Sequence, residues 1–428
     1  MSIYSRSTFF SFQTSMKKAF KYRIYPTPAQ LKRLDQTFEL CRFLYNSAHQ
    51  ERIAYYRKYK KSISYNKQSS YLNEIKEIIP EFKTVHSQVL QSNLKRLDRA
   101  YEDFFRRLKK GEKPGFPRFK GKGRLRSILY PQSGFSIGKS KGFKGNKKCK
   151  LKLSKIGDIP MVLHRNIQGD IKTCLIKRYP SGKWYVCFTC EVSSGEKLHK
   201  SGKDIGIDLG VKKLITMSNG EQFDNPKHFK NSKDKIARYQ RKLKKLDWRK
   251  KEENKKRKAV KSALARQYEK VNNQKLDYYH KLINSLVKRF DKFYLEDLDI
   301  LGMNSWRVLN CEIQNASWYK LLHMLLYKAE SAGKEVVLVD PKNTSSMCSS
   351  CGKIEKKALS TRTHRCECGL IMDRDINAAI NIYNRGRALS LPRESGDTLS
   401  EFSRSPLLQE GECSLQPGVT PGYNVPPK

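Results

Sequence analysis

Three acids and four cysteines are the residues of this chain whose types and spacing could do chemistry. Asp208 lies inside "IGIDLG", an apolar strand pattern, where a carboxylate is costly to bury unless it meets a cation or a partner. Glu296 closes "FYLE", a second apolar strand pattern, and Asp375 stands at the entry to "INAAINIY", a helical one. Carboxylates from three separate elements can converge on two divalent cations, one activating a water and the other stabilising the leaving oxygen of a phosphodiester. All-oxygen ligands suit Mg²⁺ or Mn²⁺. Taken singly, each acid has a plainer account. Asp208 could be a turn residue before Gly210, Glu296 a solvated strand end beside Asp297 and Asp299, and Asp375 a charge complementing a helix dipole. Their joint order within a basic chain favours the metal site. Asp373 competes for the third role; Asp375 is preferred because it directly precedes the small-residue helix "INAA".

The cysteines form two knuckles, Cys348 with Cys351 and Cys366 with Cys368, each pair followed by glycine and the two joined by a polar, basic loop. Four thiolates suit tetrahedral Zn²⁺, and the glycines permit tight turns. The second knuckle has a single residue between its cysteines, which leaves His364 open as a substitute ligand. The "CFTC" of Cys187 to Cys190 lies in a strand pattern without a second pair, so core packing is expected there.

The elements that must position these groups fall into two regions. "KKAFKYRIYP" alternates Phe20, Tyr22 and Ile24 with Lys21 and Arg23, the pattern of a strand with one apolar and one basic face. Thr27, Pro28 and Gln30 open a helix with a capping box. Helical patterns run on to Gly111, and "KPGFPRFKGKGR" breaks them. Residues 127–192 are β-like, so residues 16–30 and 125–195 read as a small barrel or sandwich, with 31–124 a helical insertion after its first strand. After a linker, "DIGIDLGVKKLITMSNGEQF" opens a three-stranded meander. A lysine-rich helical pair, the strand ending at Glu296, an amphipathic helix, the strand "KEVVLVDP", the cysteine region and a last helix follow. The order of the acids on these elements is that of a ribonuclease-H-like site. The expected class is α+β multidomain, with an α/β nuclease domain over 203–342 and 372–387 interrupted by a zinc ribbon at 343–371. Residues 1–15 are expected to be a flexible extension, and 388–428, rich in Ser, Pro, Gly and Glu, a disordered tail.

Charge narrows the partner. Lys and Arg total 87 against 41 Asp and Glu among 428 residues, a formal excess of +46. A field of that sign attracts polyanions, and nucleic acid is the expected class. Lys21, Arg23, Arg118 and Lys120 are candidate phosphate contacts, with Phe116 and Phe119 available for base stacking. No apolar run is long enough to span a bilayer, and no basic helix has a continuous apolar face. The scattered cysteines do not form the framework of a small secreted domain, and no signal-peptide core opens the sequence, so an intracellular, reducing setting is expected.

Together "FKYRIYPTPAQ", "PGFPRFKGK", "GIDLGVKKLIT", "LEDLDILGM", "WYKLLHMLLYKAESAGKEVVLVDPKNTSSMCSSCG" and "DRDINAAINI" resemble the TnpB (OrfB-type) proteins of bacterial and archaeal insertion sequences. They also resemble the nuclease half of type V CRISPR effectors. The resemblance covers about Met16 to Arg387, and departs from the family pattern at the second knuckle, C-x-C in place of C-x-x-C. It implies an RNA-guided DNA endonuclease with a RuvC-like site, whose catalytic acids by position are Asp208, Glu296 and Asp375. The first region would be a wedge-like barrel with a recognition insertion. The implied partners are an omega-type guide RNA transcribed from the element's end and a double-stranded DNA target licensed by a short adjacent motif. The implied setting is the prokaryotic cytoplasm, at the nucleoid, with the protein a monomer. Two other classes fit parts of the pattern: a strand-transferring transposase on the same core, and a non-catalytic zinc-ribbon RNA-binding protein.

Overall fold

A computed structural model describes residues 16–138, 147–192, 198–226, 228–247, 249–298, 317–355 and 361–390. The expectations for residues 1–15, most of the C-terminal tail and Asp299 lie outside them. The chain divides into two compact units, one up to Ser193 and one from Ser194 to Ser403.

In the first unit, β1 (Met16–Ile24) leads into α1 (Pro28–Tyr59), α2 (Tyr65–Ser70), α3 (Leu72–Ile78) and α4 (Ser87–Lys109). Six strands follow: β2 (Ser127–Tyr130), β3 (Phe135–Ile137), β4 (Lys147–Leu153), β5 (Gly157–Leu163), β6 (Asp170–Arg178) and β7 (Trp184–Val192). With β1 they form one seven-stranded sheet in the order β2-β6-β7-β1-β5-β4-β3. Strands β2 and β3, consecutive in the chain, end at opposite edges of that order, so the sheet curls nearly closed. The alternation read in β1 holds: Phe20, Tyr22 and Ile24 are buried, while Lys21 and Arg23 face outward. Thr27 and Gln30 form the expected capping box, satisfying the first amides of α1. Cys187 and Cys190 are buried in β7 as core residues. Strand β4 carries a period-two signal too, with Cys149, Leu151 and Leu153 buried between lysines.

The second unit opens with the expected meander, β8 (Asp204–Leu209), β9 (Lys213–Met217) and β10 (Gln222–Asp224). Then come α5 (His228–Lys245), α6 (Glu253–Arg289), β11 (Lys292–Glu296), α7 (Trp318–Ser331) and β12 (Glu335–Val339). A two-stranded hairpin of β13 (Thr363–Arg365) and β14 (Ile371–Asp373) leads into α8 (Arg374–Ser390). Helix α8 runs three residues past the boundary read from the sequence, which ended the last helix at Arg387. The sheet order is β10-β9-β8-β11-β12, with β11 parallel to both β8 and β12. Among the described residues no helix is long and apolar enough to cross a membrane.

The pleat of β8 and β11 decides which side chains meet. Ile205, Ile207, Phe293 and Leu295 point to one face, where Tyr279, Ile283 and Leu286 of α6 and Leu321 and Leu325 of α7 complete the core. The residues between them belong to the other face, which α8 covers through Ile382 and Tyr383 against Tyr294 and Val339. Close approach there depends on glycine. A Cβ on Gly206 would lie 2.3 Å from the Ala379 carbonyl oxygen, and one on Gly386 would strike the Tyr294 ring. Gly206→Ala therefore forces α8 off the sheet, and overpacking of this kind costs about 1–3 kcal/mol or more. Chemical denaturation checks this; an unchanged midpoint would mean that α8 does not seat at Gly206.

Candidate metal centres

Asp208 and Glu296 sit side by side. Leu295 pairs with Ile207 in the parallel ladder, so the next residues, Asp208 and Glu296, lie level at the carboxyl ends of two neighbouring strands. Both belong to the α8 face, two residues beyond Gly206 and Tyr294. A strand advances about 6.7 Å in two residues, and a helix about 6 Å in four. The step from Gly206 to Asp208 is thus matched by the step from Ala379 to Asp375, and α8 delivers its acid beside the strand acids.

The electrostatics record the convergence. Burial, then the charges of Glu296 and Asp375, push the Asp208 carboxyl well above the usual range, with Arg374 opposing. Burial raises Glu296, against a hydrogen bond from Thr344 and the charge of Arg385. Burial and Asp373 raise Asp375, against Arg362, Arg374 and Lys212. Arg362 comes nearest, its guanidinium 3.8 Å from the Asp375 carboxylate. Burial is the first cause for all three; at Asp208 and Asp375 neighbouring carboxylates add to it, a local surplus of negative charge. A hard divalent cation relieves that surplus, and the all-oxygen donor set fits one. Among the described residues the acids do not form a closed ligand cluster; the four cysteines do.

Asp373 and Asp375 are separated by the geometry of the helix start. The Asp373 carboxylate accepts the backbone N–H of Asp375 at 2.8 Å and of Ile376 at 3.3 Å, the work of an N-cap. Asp373 is exposed and Asp375 half-buried; both carboxylates act on Asp208, Asp375 the more strongly.

The cysteine knuckles close on one another. All four Sγ atoms lie within 4.8 Å of each other, with Cys348 to Cys368 at 3.6 Å and Cys351 to Cys366 at 3.5 Å. A tetrahedral zinc with Zn–S bonds of about 2.3 Å would space its sulfurs by about 3.8 Å, so the C-x-C knuckle reaches without help. His364 is fully buried in β13 and is not one of this group. Burial raises the Cys348 thiol, but backbone N–H groups of Cys351 and Ser350, with His364 and Cys368, bring it down to about 6. A thiol held toward thiolate is what metal ligation requires.

Two residues missed by the sequence reading tie the knuckle to α8. Asn377 and Asn381 are 0% and 1% exposed and bonded across to the knuckle. Asn377 donates to the Met347 carbonyl at 2.7 Å and accepts the Ser349 N–H at 2.9 Å. Asn381 donates to the Thr344 carbonyl at 2.8 Å and to that of Met347 at 2.7 Å. Their spacing of four in "INAAINI" was the available signal: two amides stacked on the buried face of a helix.

The candidate nucleic-acid residues lie in the first unit. Lys21 rests its ammonium 4.3 Å from the Tyr179 ring and 4.2 Å from Tyr185. Arg23 lies over Tyr25 and Tyr185. Phe116 and Phe119 are each 50% exposed, with their inner edges against His49. Arg118 is exposed. Lys120 is half-buried, folded back 5.1 Å from the Tyr45 ring.

Three family models match, described as "Helix-turn-helix domain" over residues 16–61, "Probable transposase" over 187–307 and "Cas12f1-like, TNB domain" over 318–382. The first spans one strand and one unbroken helix in this chain, β1 and α1. A Streptomyces pristinaespiralis protein named "Putative RNA-guided DNA endonuclease" is 31% identical over 380 residues, 88% of this chain and 90% of that protein. An Escherichia coli K12 protein named "Putative RNA-guided DNA endonuclease InsQ" is 30% identical, covering 87% of this chain and 93% of its own. The fold is similar to that of Cas12f1 solved with sgRNA and target DNA, with a TM-score of 0.55 at 15% identity, covering 86% of this chain and 98% of that one.

Proposed function

The chain belongs to the TnpB (OrfB-type) family, and from that premise we propose that it is an RNA-guided DNA endonuclease, cleaving target DNA at a RuvC-like Asp208–Glu296–Asp375 centre. The observation that supports this reading is the level placement of Asp208 and Glu296 at the ends of two neighbouring strands, with Asp375 of α8 near enough for its charge to act on Asp208. Asp208, Glu296 and Asp375 would hold Mg²⁺ or Mn²⁺, which when bound supplies an activated water and charge stabilisation for phosphodiester hydrolysis. The protein's own residues do the rest. The parallel register of β8 and β11 fixes two carboxylates level, α8 sets the third, and Arg362 and Arg374 moderate their charge. Cys348, Cys351, Cys366 and Cys368 would hold zinc in a ribbon over 343–371, set within a RuvC-like domain of 203–342 and 372–387. Residues 16–30 and 125–195 would be the wedge-like barrel, and 31–124 the recognition insertion. The relatives' names and the guide-bound Cas12f1 supply the partners: an omega-type RNA from the element and a double-stranded DNA target. Protein and RNA would act in the prokaryotic cytoplasm, at the nucleoid.

The test is to purify the protein from cells carrying its element, sequence the bound RNA, and offer DNA matching its end. One RNA species and RNA-matched cuts requiring Mg²⁺ are expected. Strand joining in place of cleavage would favour the transposase reading, and RNA binding with no DNA chemistry the non-catalytic one.

RNA should be gripped through phosphates by Lys21, Arg23, Arg118 and, once unfolded from Tyr45, Lys120, with Phe116 and Phe119 stacking on bases. Affinity should then fall with salt at a log–log slope of roughly −0.7 per phosphate contact for single strands. Filter binding across a salt series measures it, and a flat response would refute a phosphate grip.

A further inference from the structure

We propose that Thr344 is a positioning residue for the metal centre, its hydroxyl holding Glu296 in the orientation that ligates the cation. The inference rests on the nuclease reading and adds a residue to it. Thr344 is 4% exposed and lies between β12 and the first knuckle. Its Oγ1 lies within hydrogen-bonding reach of two acceptors, Glu296 Oε1 and, at 3.1 Å, the Pro341 carbonyl. A hydroxyl has one proton, and the bond to an ionised acceptor is the stronger. The proton therefore goes to Glu296, which fixes one carboxylate oxygen and leaves the other for the metal.

What holds Thr344 makes this more than a local turn contact. Its carbonyl accepts from Asn381, which is itself buried and bridges to Met347, one residue before Cys348. Asn381 lies six residues along α8 from Asp375. The same helix abuts Gly206, two residues before Asp208, through Ala379. One helix is therefore the common frame for all three acids: Asp375 directly, Asp208 through the Gly206 seat, and Glu296 through Asn381 and Thr344. Such outer partners of metal-ligating carboxylates typically change metal affinity by 10- to 100-fold when removed.

The test uses the full-length protein with its RNA. Mn²⁺ binding is followed by electron paramagnetic resonance, alongside the Mg²⁺ dependence of cleavage, thermal unfolding and RNA affinity. Thr344→Val keeps the shape and deletes the donor, whereas Thr344→Ser keeps the donor and deletes the methyl. Thr344→Val should weaken Mn²⁺ binding and raise the Mg²⁺ midpoint by about tenfold or more, with RNA affinity unchanged. Thr344→Ser should restore both metal readouts. Wild-type metal affinity in Thr344→Val would overturn the proposal, as would an equal defect in the serine variant, which would assign the effect to packing. Mn²⁺ binding left unchanged by Glu296→Gln would overturn the metal-centre reading and this proposal with it.

Discussion

Asp208→Ala should abolish RNA-guided cleavage, by at least about a thousandfold, while leaving RNA binding at the wild-type level. The separation is expected because the grip and the chemistry are assigned to different units of the chain, 1–193 and 194–403. Asp208 carries the largest effect because it feels both other acids: burial, Glu296 and Asp375 all act on it. The same crowding predicts a second outcome. Removing a half-buried carboxyl that two like charges oppose should not lower, and should slightly raise, the unfolding temperature in metal-free buffer. Loss of cleavage through misfolding would show the opposite sign. Asp375→Asn should be nearly as damaging as Asp208→Ala. Asp373→Asn should be mild, because asparagine also caps helices and Asp373 is engaged with the Asp375 and Ile376 amides. Cleavage kinetics at saturating Mg²⁺ decide the matter; a more severe effect at Asp373 would reassign the third acid.

Cys348→Ser should lose the zinc and, with it, cleavage. Metal analysis should find one zinc per wild-type chain and less than about a tenth in the variant. Cobalt substitution should give the thiolate charge-transfer bands of a four-sulfur tetrahedral site. Cys348 is the most buried of the four, so it has no solvent to replace the lost bond. Structural zinc contributes roughly 10 kcal/mol or more to small zinc-dependent folds, more than a hairpin of two three-residue strands can supply for itself. Its loss should free the segment from Thr344 to Ser349, which Asn377 and Asn381 tie to α8, and so disturb Glu296. The damage should spread no further: RNA affinity should survive, since the first unit has its own core. Active wild-type protein devoid of zinc would defeat the assignment. Retention of zinc in Cys368→Ser but not in a Cys368/His364 double replacement would make His364 a ligand after all.

The sequence by itself determined the elements and the chemical inventory. Period-two alternation marked β1, because a strand with one wet face must alternate; capping chemistry marked the start of α1, because free amides must be satisfied. Apolar strand runs ending in acids gave Asp208 and Glu296, because a carboxylate there is too costly to be incidental. Cysteine spacing marked the four thiols that cluster, because spacing within a knuckle is local and survives without tertiary contacts.

Tertiary structure decided what depends on pairing between distant segments. That β8 and β11 are parallel and in a register that levels Asp208 with Glu296, 88 positions further along the chain, is something no local pattern records. The capping of the helix start by Asp373 needed three dimensions, where its carboxylate turns back onto the Asp375 and Ile376 amides. The turn of Lys120 toward Tyr45 was likewise invisible, because a long cationic side chain can cover a ring or reach solvent with equal ease. The roles of Thr344, Asn377 and Asn381 came last of all. A buried amide or hydroxyl is defined by its partner, and here the partners lie 28 to 48 residues away in the chain.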